Sequence, residues 1–304
     1  MDCPFSAGQA AARVHLPAGA CDAHIHVYDR RCPTVPGARL RPPDASLAQY
    51  RQVQARMGTQ RAVVVTPSTY GCNNTLLLQA LTELGEHGRG VAVIDAQTPD
   101  AELAQLHAHG VRGVRLNLSL GVSHRPSDIR PIAERIAPLG WHLQLLMPPD
   151  TLLAQAPLLQ ALVRELPVDL VLDHFARLGP QHLGPHPVHA DAHATHAHAH
   201  AQVLALLATG HVWLKLSGGY LVSPQGSSED PALHALARSF IDAAPERVLW
   251  GSDWPHASVS AGLHPWPDDA RQIECLAQWA GDTHTLQQVL VRNPEHLYGF
   301  NALT

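Results

Sequence analysis

The sequence predicts a single closed (β/α)8, or TIM, barrel spanning residues 1–304. Three observations carry that expectation. Short apolar runs alternate with amphipathic stretches eight times, and eight such units in about 280 residues match the count a closed barrel needs. The alternation implies parallel strands, because each parallel crossover needs a helix-sized connection. No glycine-rich phosphate turn follows the first strand, as a doubly wound open sheet would want.

The elements follow in order. Residues 20–27 form an apolar run that reads as the first strand, with His24 and His26 two apart and so on one side of it. A proline-rich loop leads to a helix over 46–57, for which Ser46 is the N-cap. The run 61–66, ended by Pro67, is a buried strand. A helix over 74–86 is closed by Gly88. Strands are then expected at 91–95, 111–118, 141–147, 169–173, 212–216 and 248–250. Helices are expected at 100–109, at 127–137 with Ser127 as cap, and at 149–165, weakened by Pro157. The remaining three span 201–208, 232–243 and 267–279. Residues 180–200 break the rhythm with a His-Ala tract over 189–200. It reads as a low-complexity insertion in the loop after the sixth strand, or as a metal-capturing segment or lid.

Composition narrows the function. A formal charge of -5 removes the basic footprint of a nucleic-acid binder. The five cysteines form no C-x-x-C pair, which indicates neither a disulfide framework nor a zinc ribbon and suits a reducing cytoplasm. The first twenty residues lack a basic segment followed by an apolar stretch, so no secretory signal is expected, and no apolar run reaches membrane-spanning length. The expectation is a cytoplasmic protein acting on a small molecule, with no nucleic-acid or membrane partner. Nothing in the sequence sets an oligomeric state.

In a barrel of this kind the reactive face is the C-terminal rim of the strands. Strand one delivers His24 and His26 there, strand two Ser68, Thr69 and Tyr70, strand four Arg115 and Asn117. Strand six adds His174 with Arg177 close behind, and strand eight adds Asp253 and His256. Taken singly, a strand-end aspartate is more often a cap, and a lone histidine a satisfied core residue. Their joint arrival at one rim is the informative part.

His24-Ile25-His26, His174 and Asp253 resemble the pattern of the amidohydrolase superfamily, whose fold is a metal-dependent-hydrolase-like barrel. Four stretches are similar to the branch that contains 2-pyrone-4,6-dicarboxylate lactonase and sugar-acid lactone enzymes. They are Cys21–His26, Pro67–Gly71, Gly113–Asn117 and Gly251–His256 in this chain. The resemblance implies a hydrolase of ester bonds, in aromatic or sugar-acid catabolism, that opens a small carboxylated lactone. Asp253 would be the base on water, with His24, His26 and His174 polarising the carbonyl. Arg115 and Arg177 suit a substrate carboxylate, Ser68, Thr69, Tyr70 and Asn117 supply neutral hydrogen bonds, and His256 sits beside the base to orient it. For Arg177 an ion pair facing a helix is the competing assignment.

Two departures bear on the substrate. Gly121 stands where the branch places a second arginine, and Leu221 where another follows the Lys215–Tyr220 turn. A monocarboxylate or less charged lactone fits better than a dicarboxylate, unless His124 or Arg125 compensates. A two-metal site is not expected, because strand four carries no lysine and His142 lies near the wrong end of strand five. The branch implies chemistry with no required metal. The same His24, His26, His174 and Asp253 would alternatively hold one divalent ion such as zinc. Three other readings stay open: a mononuclear metal-dependent decarboxylase on this barrel, a lactone isomerase, and a non-catalytic metal buffer built on the His-Ala tract.

Overall fold

The computed structural model describes residues 3–38, 40–119, 124–183 and 190–302, the side chains of 190–196 excepted. Among these residues eight parallel strands follow one another in sequence order around one sheet. They are β1 (Cys21–Ile25), β2 (Arg61–Val65), β3 (Gly88–Ala92), β4 (Val111–Asn117), β5 (His142–Leu146), β6 (Leu170–Leu172), β7 (Val212–Ser217) and β8 (Val248–Gly251). The helices are α1 (Leu47–Met57), α2 (Thr75–Leu84), α3 (Asp100–Ala108), α4 (Ile129–Ile136), α5 (Pro149–Glu165) and α6 (Ala190–Leu207). They continue with α7 (Ala232–Ala243), α8 (Ala257–Ser260), α9 (Asp269–Ala280), α10 (Thr283–Gln287) and α11 (Asn293–Tyr298).

Alternate strand residues face opposite layers. Ala62, Val64, Val114, Leu116, Leu143, Leu145, Leu170 and Leu172 pack outward against the helices. Val63, Val65, Val91, Val171, Trp213 and Leu249 fill the barrel, whose interior cluster also takes in Tyr298 and Phe300 from the C-terminal end of the chain. The same inward register brings Arg115, Gln144, Asp173, Lys215 and Ser217 toward the C-terminal rim.

The ring closes between β1 and β8. The His24 carbonyl accepts from the Asp253 amide at 2.9 Å, and the His26 amide donates to the Trp254 carbonyl at 2.8 Å. Asp22 fastens the seam from outside, accepting from the Ser252 amide (2.9 Å) and hydroxyl (2.7 Å) and from the Tyr50 hydroxyl (3.0 Å). Gly251 permits this closeness, since a Cβ there would meet the His24 Cβ at 2.5 Å.

Several expectations shift. β3 begins at Gly88, three residues before the expected 91, so Gly88 both closes the 3-10 turn Gly85–His87 that follows α2 and opens a strand. The reason is packing: a Cβ at Gly88 would lie 2.6 Å from that of Leu84, so α2 sits against a nearly bare backbone. Ser127 does not cap α4, which starts at Ile129 after a turn over Pro126–Asp128; there the Asp128 carboxylate accepts from the Arg125 amide. Pro157 sits inside an unbroken α5. The tract read as a loop insertion is helical from Ala190 and continuous with α6. His198 and His200, two apart on this helix, point to different sides. His200 is half-buried against the Ser239 hydroxyl (2.9 Å) and His198 is exposed, while residues 184–189 lie outside the described residues. No helix among the described residues is long and apolar enough to cross a membrane.

Candidate active site

Strict alternation would have turned His24 and His26 away from the barrel, because Cys21 and Ala23 already face inward. The register between β1 and β2 slips by one residue between Asp22 and Ile25, as in a β-bulge. That extra residue sends Ile25 outward and both histidines inward, as bulges beside active sites commonly do. The expectation that the two share a side holds, and the bulge decides which side.

The two rings meet edge to face, with their Nε2 atoms 3.3 Å apart. Asp253 Oδ1 lies 3.7 Å from His24 Nε2, 3.8 Å from His26 Nε2 and 3.9 Å from His174 Nε2. Three imidazoles therefore converge on one carboxylate oxygen. Burial would push the Asp253 carboxyl up, but the facing His174, His24 and His26 and the Tyr220 hydroxyl bring it down to about 2. It is ionised at neutral pH. Burial pushes all three histidines down, His26 to about 4 with the nearby Arg115 charge adding to the effect.

Their outer nitrogens fix what the inner ones can do. His26 Nδ1 lies 2.7 Å from the Val65 carbonyl, which can only accept, so that nitrogen carries the proton and Nε2 presents a lone pair. His174 Nδ1 faces the Ser217 hydroxyl at 2.9 Å, which can donate or accept. His24 Nδ1 faces both Lys215 Nζ and Asp173 Oδ1, each at 3.4 Å. These two rings can hold either tautomer.

Behind the histidines lies a fully buried polar group. Lys215 donates to Gln144 Oε1 (2.7 Å), and Asp173 Oδ2 accepts from Arg115 Nε (2.9 Å) and Gln144 Nε2 (3.0 Å). Burial lowers Lys215 to about 8, leaving it mostly charged at neutral pH. His24, Arg115 and Lys215 overcome the upward push of burial on Asp173 and hold its carboxyl well below the usual range.

A cavity of about 480 Å3 opens over this cluster, lined among others by His26, Ser68, Thr69, Arg115, Asn117, His174, Arg177 and Asp253. Ser68 Oγ accepts from Asn117 Nδ2 at 2.9 Å. The Thr69 hydroxyl is committed to the Leu40 carbonyl at 2.8 Å. Two expected residues face elsewhere. The Tyr70 hydroxyl bonds the backbone of Asp29 and borders a neighbouring groove. His256 is buried with Nε2 3.2 Å from the Asp269 carboxylate, and its ring packs against Tyr220, not Asp253. The partner of Asp253 is Tyr220 itself, whose hydroxyl donates to Oδ2 at 2.6 Å. Tyr220, Lys215 and Asp173 were not singled out from the sequence. Lys215 was findable, because a charge inside an apolar strand needs a partner. Tyr220 was not, since only the turn Gly219–Leu221 swings it to the base. His124 gives its Nε2 to the Ile94 carbonyl and Arg125 is exposed, so neither lines the cavity; Gly121 lies outside the described residues.

The donor set also fits one metal ion. Separations of 3.3–3.8 Å among His24, His26 and Asp253 are close to the edge of a tetrahedron with bonds near 2.0–2.1 Å, about 3.4 Å, and His174 Nε2 lies 3.9 Å from Asp253 Oδ1. His26 already has the tautomer of a ligand whose far nitrogen donates to a carbonyl. The groups His24–His26–Asp253 and His24–Asp173–His174 each bring their ligand atoms within 4.8 Å of one another.

Comparison with known proteins agrees with this geometry. The amidohydrolase family model matches residues 21–300. The 2-pyrone-4,6-dicarboxylate hydrolase of Comamonas testosteroni is 33% identical over 299 residues, covering 93% of this chain and 91% of that protein. The D-galactarolactone isomerase of Agrobacterium fabrum is 29% identical over 287 residues, covering 93% and 92%. The apo crystal structure of an Agrobacterium tumefaciens protein superposes with a TM-score of 0.81 at 28% identity, covering 96% of this chain and all of that one. With the barrel, the inward histidine pair and the match over nearly its whole length, the chain belongs to the amidohydrolase family of enzymes.

Proposed function

We propose that this enzyme hydrolyses the ester bond of a small carboxylated lactone. The observation that carries the reading is the ionised Asp253 carboxylate facing three imidazole nitrogens at the floor of the cavity. Water enters between Asp253 and His26, whose lone pairs both accept from it. Asp253 takes a proton as the water oxygen attacks the lactone carbonyl, and returns it to the ring oxygen when that bond breaks. In one tautomer of each ring, Lys215 and Ser217 donate to the outer nitrogens of His24 and His174. Their Nε2–H groups then point at the carbonyl oxygen and stabilise its developing charge. His26 supplies an acceptor here and not the donor the sequence suggested.

His24, His26 and Asp253, with His174 beside them, would also be the residues that hold a divalent ion. Such an ion supplies Lewis-acid polarisation of the carbonyl and a more acidic water when bound. The test is a panel of pyrone carboxylates and aldarolactones followed by acid release, with and without chelator. The expected result is acid release in both arms. Loss on chelation, restored by zinc, would transfer the polarising role to the metal. Isomerisation is the second reading, favoured by the likeness to D-galactarolactone isomerase over the same span. A lactone converted without acid release would select it.

A further inference from the structure

Two arginines line the cavity, and they are not equivalent. Arg115 is buried with its Nε committed to Asp173, so it already balances a carboxylate within the protein. Arg177 has no hydrogen bond or ion pair among the described residues, although it is half-buried beside Asp253. Its whole guanidinium is uncommitted, whereas Arg115 has only its Nη groups left, and an incoming anion needs that cation because the ionised Asp253 repels a carboxylate brought into the same cavity.

The backbone holds Arg177 in that place. Residues His174 to Arg177 have φ of 51°, 56°, 54° and 60°, four successive left-handed residues with no glycine. In a turn of about three residues, positions i and i+3 lie over one another. The left-handed turn therefore sets Arg177 on the same side as His174, and both line the cavity. Much of the rest of the lining is apolar, with Leu40, Leu146, Leu221 and Leu263 beside Ala257 and Ala261, and its other polar side chains are neutral hydroxyls, Asn117 and histidines such as His264. A second carboxylate laid against those leucines would lose water with no partner in exchange.

We infer that the site selects a substrate with a single carboxylate, gripped by Arg177, whose remaining body is uncharged and lies against the leucines. This rests on the proposed lactone chemistry but makes its own claim about which anion the cavity accepts. The expected order of affinity is monoacid first, with its ester and its diacid both weaker.

Isothermal titration with furan-2-carboxylate, its methyl ester and furan-2,5-dicarboxylate tests this without any turnover. The monoacid should bind at least tenfold more tightly than either of the others. Arg177→Met should erase the preference for the acid over the ester, and Arg177→Lys should keep part of it, because the charge remains but the two-pronged geometry does not. Thermal melting checks that both variants are folded, and the wild-type comparison of monoacid with diacid stands without any variant. Equal or tighter binding of the diacid, equal binding of acid and ester, or an acid affinity unchanged in Arg177→Met each overturns the assignment. If monoacid binding behaves as expected while no lactone is opened, the proposed reaction fails and this assignment survives.

Discussion

Among the described residues lining the cavity, Asp253 is the one carboxylate, and its side chain faces the three imidazoles that the proposed chemistry uses. Asp253→Asn keeps the shape and removes the base, so kcat should fall by roughly 10²–10⁴ while the melting temperature changes little. Full turnover in that variant would dismiss Asp253 as the base. Tyr220 has a subtler part, since its hydroxyl donates to Oδ2 at 2.6 Å and helps keep the carboxyl down at about 2. Tyr220→Phe removes a donor that favours the charged form, so the Asp253 pKa rises. A base that protonates at higher pH loses activity earlier on acidification. The acid limb of the kcat/KM profile should therefore move up by about one pH unit. An acid limb that stays put would assign Tyr220 to packing alone.

At the scale of elements, the turn carrying His174 and Arg177 is the one place among the described residues where four successive non-glycine residues are left-handed. Each left-handed non-glycine residue costs roughly 1–2 kcal/mol, and such strain persists where the surroundings over-determine it. Ala176, at φ 54°, gives a direct check. In a helix such as α7, replacing Ala237 by glycine should cost about 1 kcal/mol. Ala176→Gly should instead be neutral or stabilising by up to ~1 kcal/mol, because relief of strain exceeds the extra freedom of the unfolded chain. Urea denaturation of the two variants side by side reads the difference in sign. This turn was invisible in the sequence, since Phe175, Ala176 and Arg177 carry no preference for the left-handed region. Much else was legible. The strands β2, β5 and β7 announced themselves by apolar runs, and α1 by the Ser46 cap that the structure shows accepting from the Gln49 amide. β3 was misplaced because glycines that permit close packing look like a loop. The bulge in β1 was hidden because a one-residue slip leaves no mark on composition.

At the scale of the whole molecule, the sequence conveyed the closed barrel and the convergence of His24, His26, His174 and Asp253, because strand order alone brings those rims together. It did not convey the electrostatic cost of burying so many imidazoles. Burial holds His26 to about 4 and His142 to about 3, the latter with the Lys215 charge adding to the effect, and lowers His24 and His174 as well. The folded state therefore resists protons that the unfolded chain accepts below its ordinary histidine pKa of about 6.5. More protons on the unfolded side means stability falls as pH drops from about 6.5 toward 4. Asp22 works the other way: raised to about 6 by burial, it takes up a proton in the folded state first and offsets part of the loss. His142 isolates the effect, because it lies at the opposite end of its strand from the cavity and lines no part of it. In His142→Leu one proton leaves the balance, so stability against pH should be shallower by up to ~1.4 kcal/mol per pH unit between about pH 6 and 4.5. Any packing change in the variant displaces the whole curve without altering its slope. Urea denaturation at several pH values in that window separates the two, and parallel curves for wild type and variant would show that His142 is not held neutral by the fold.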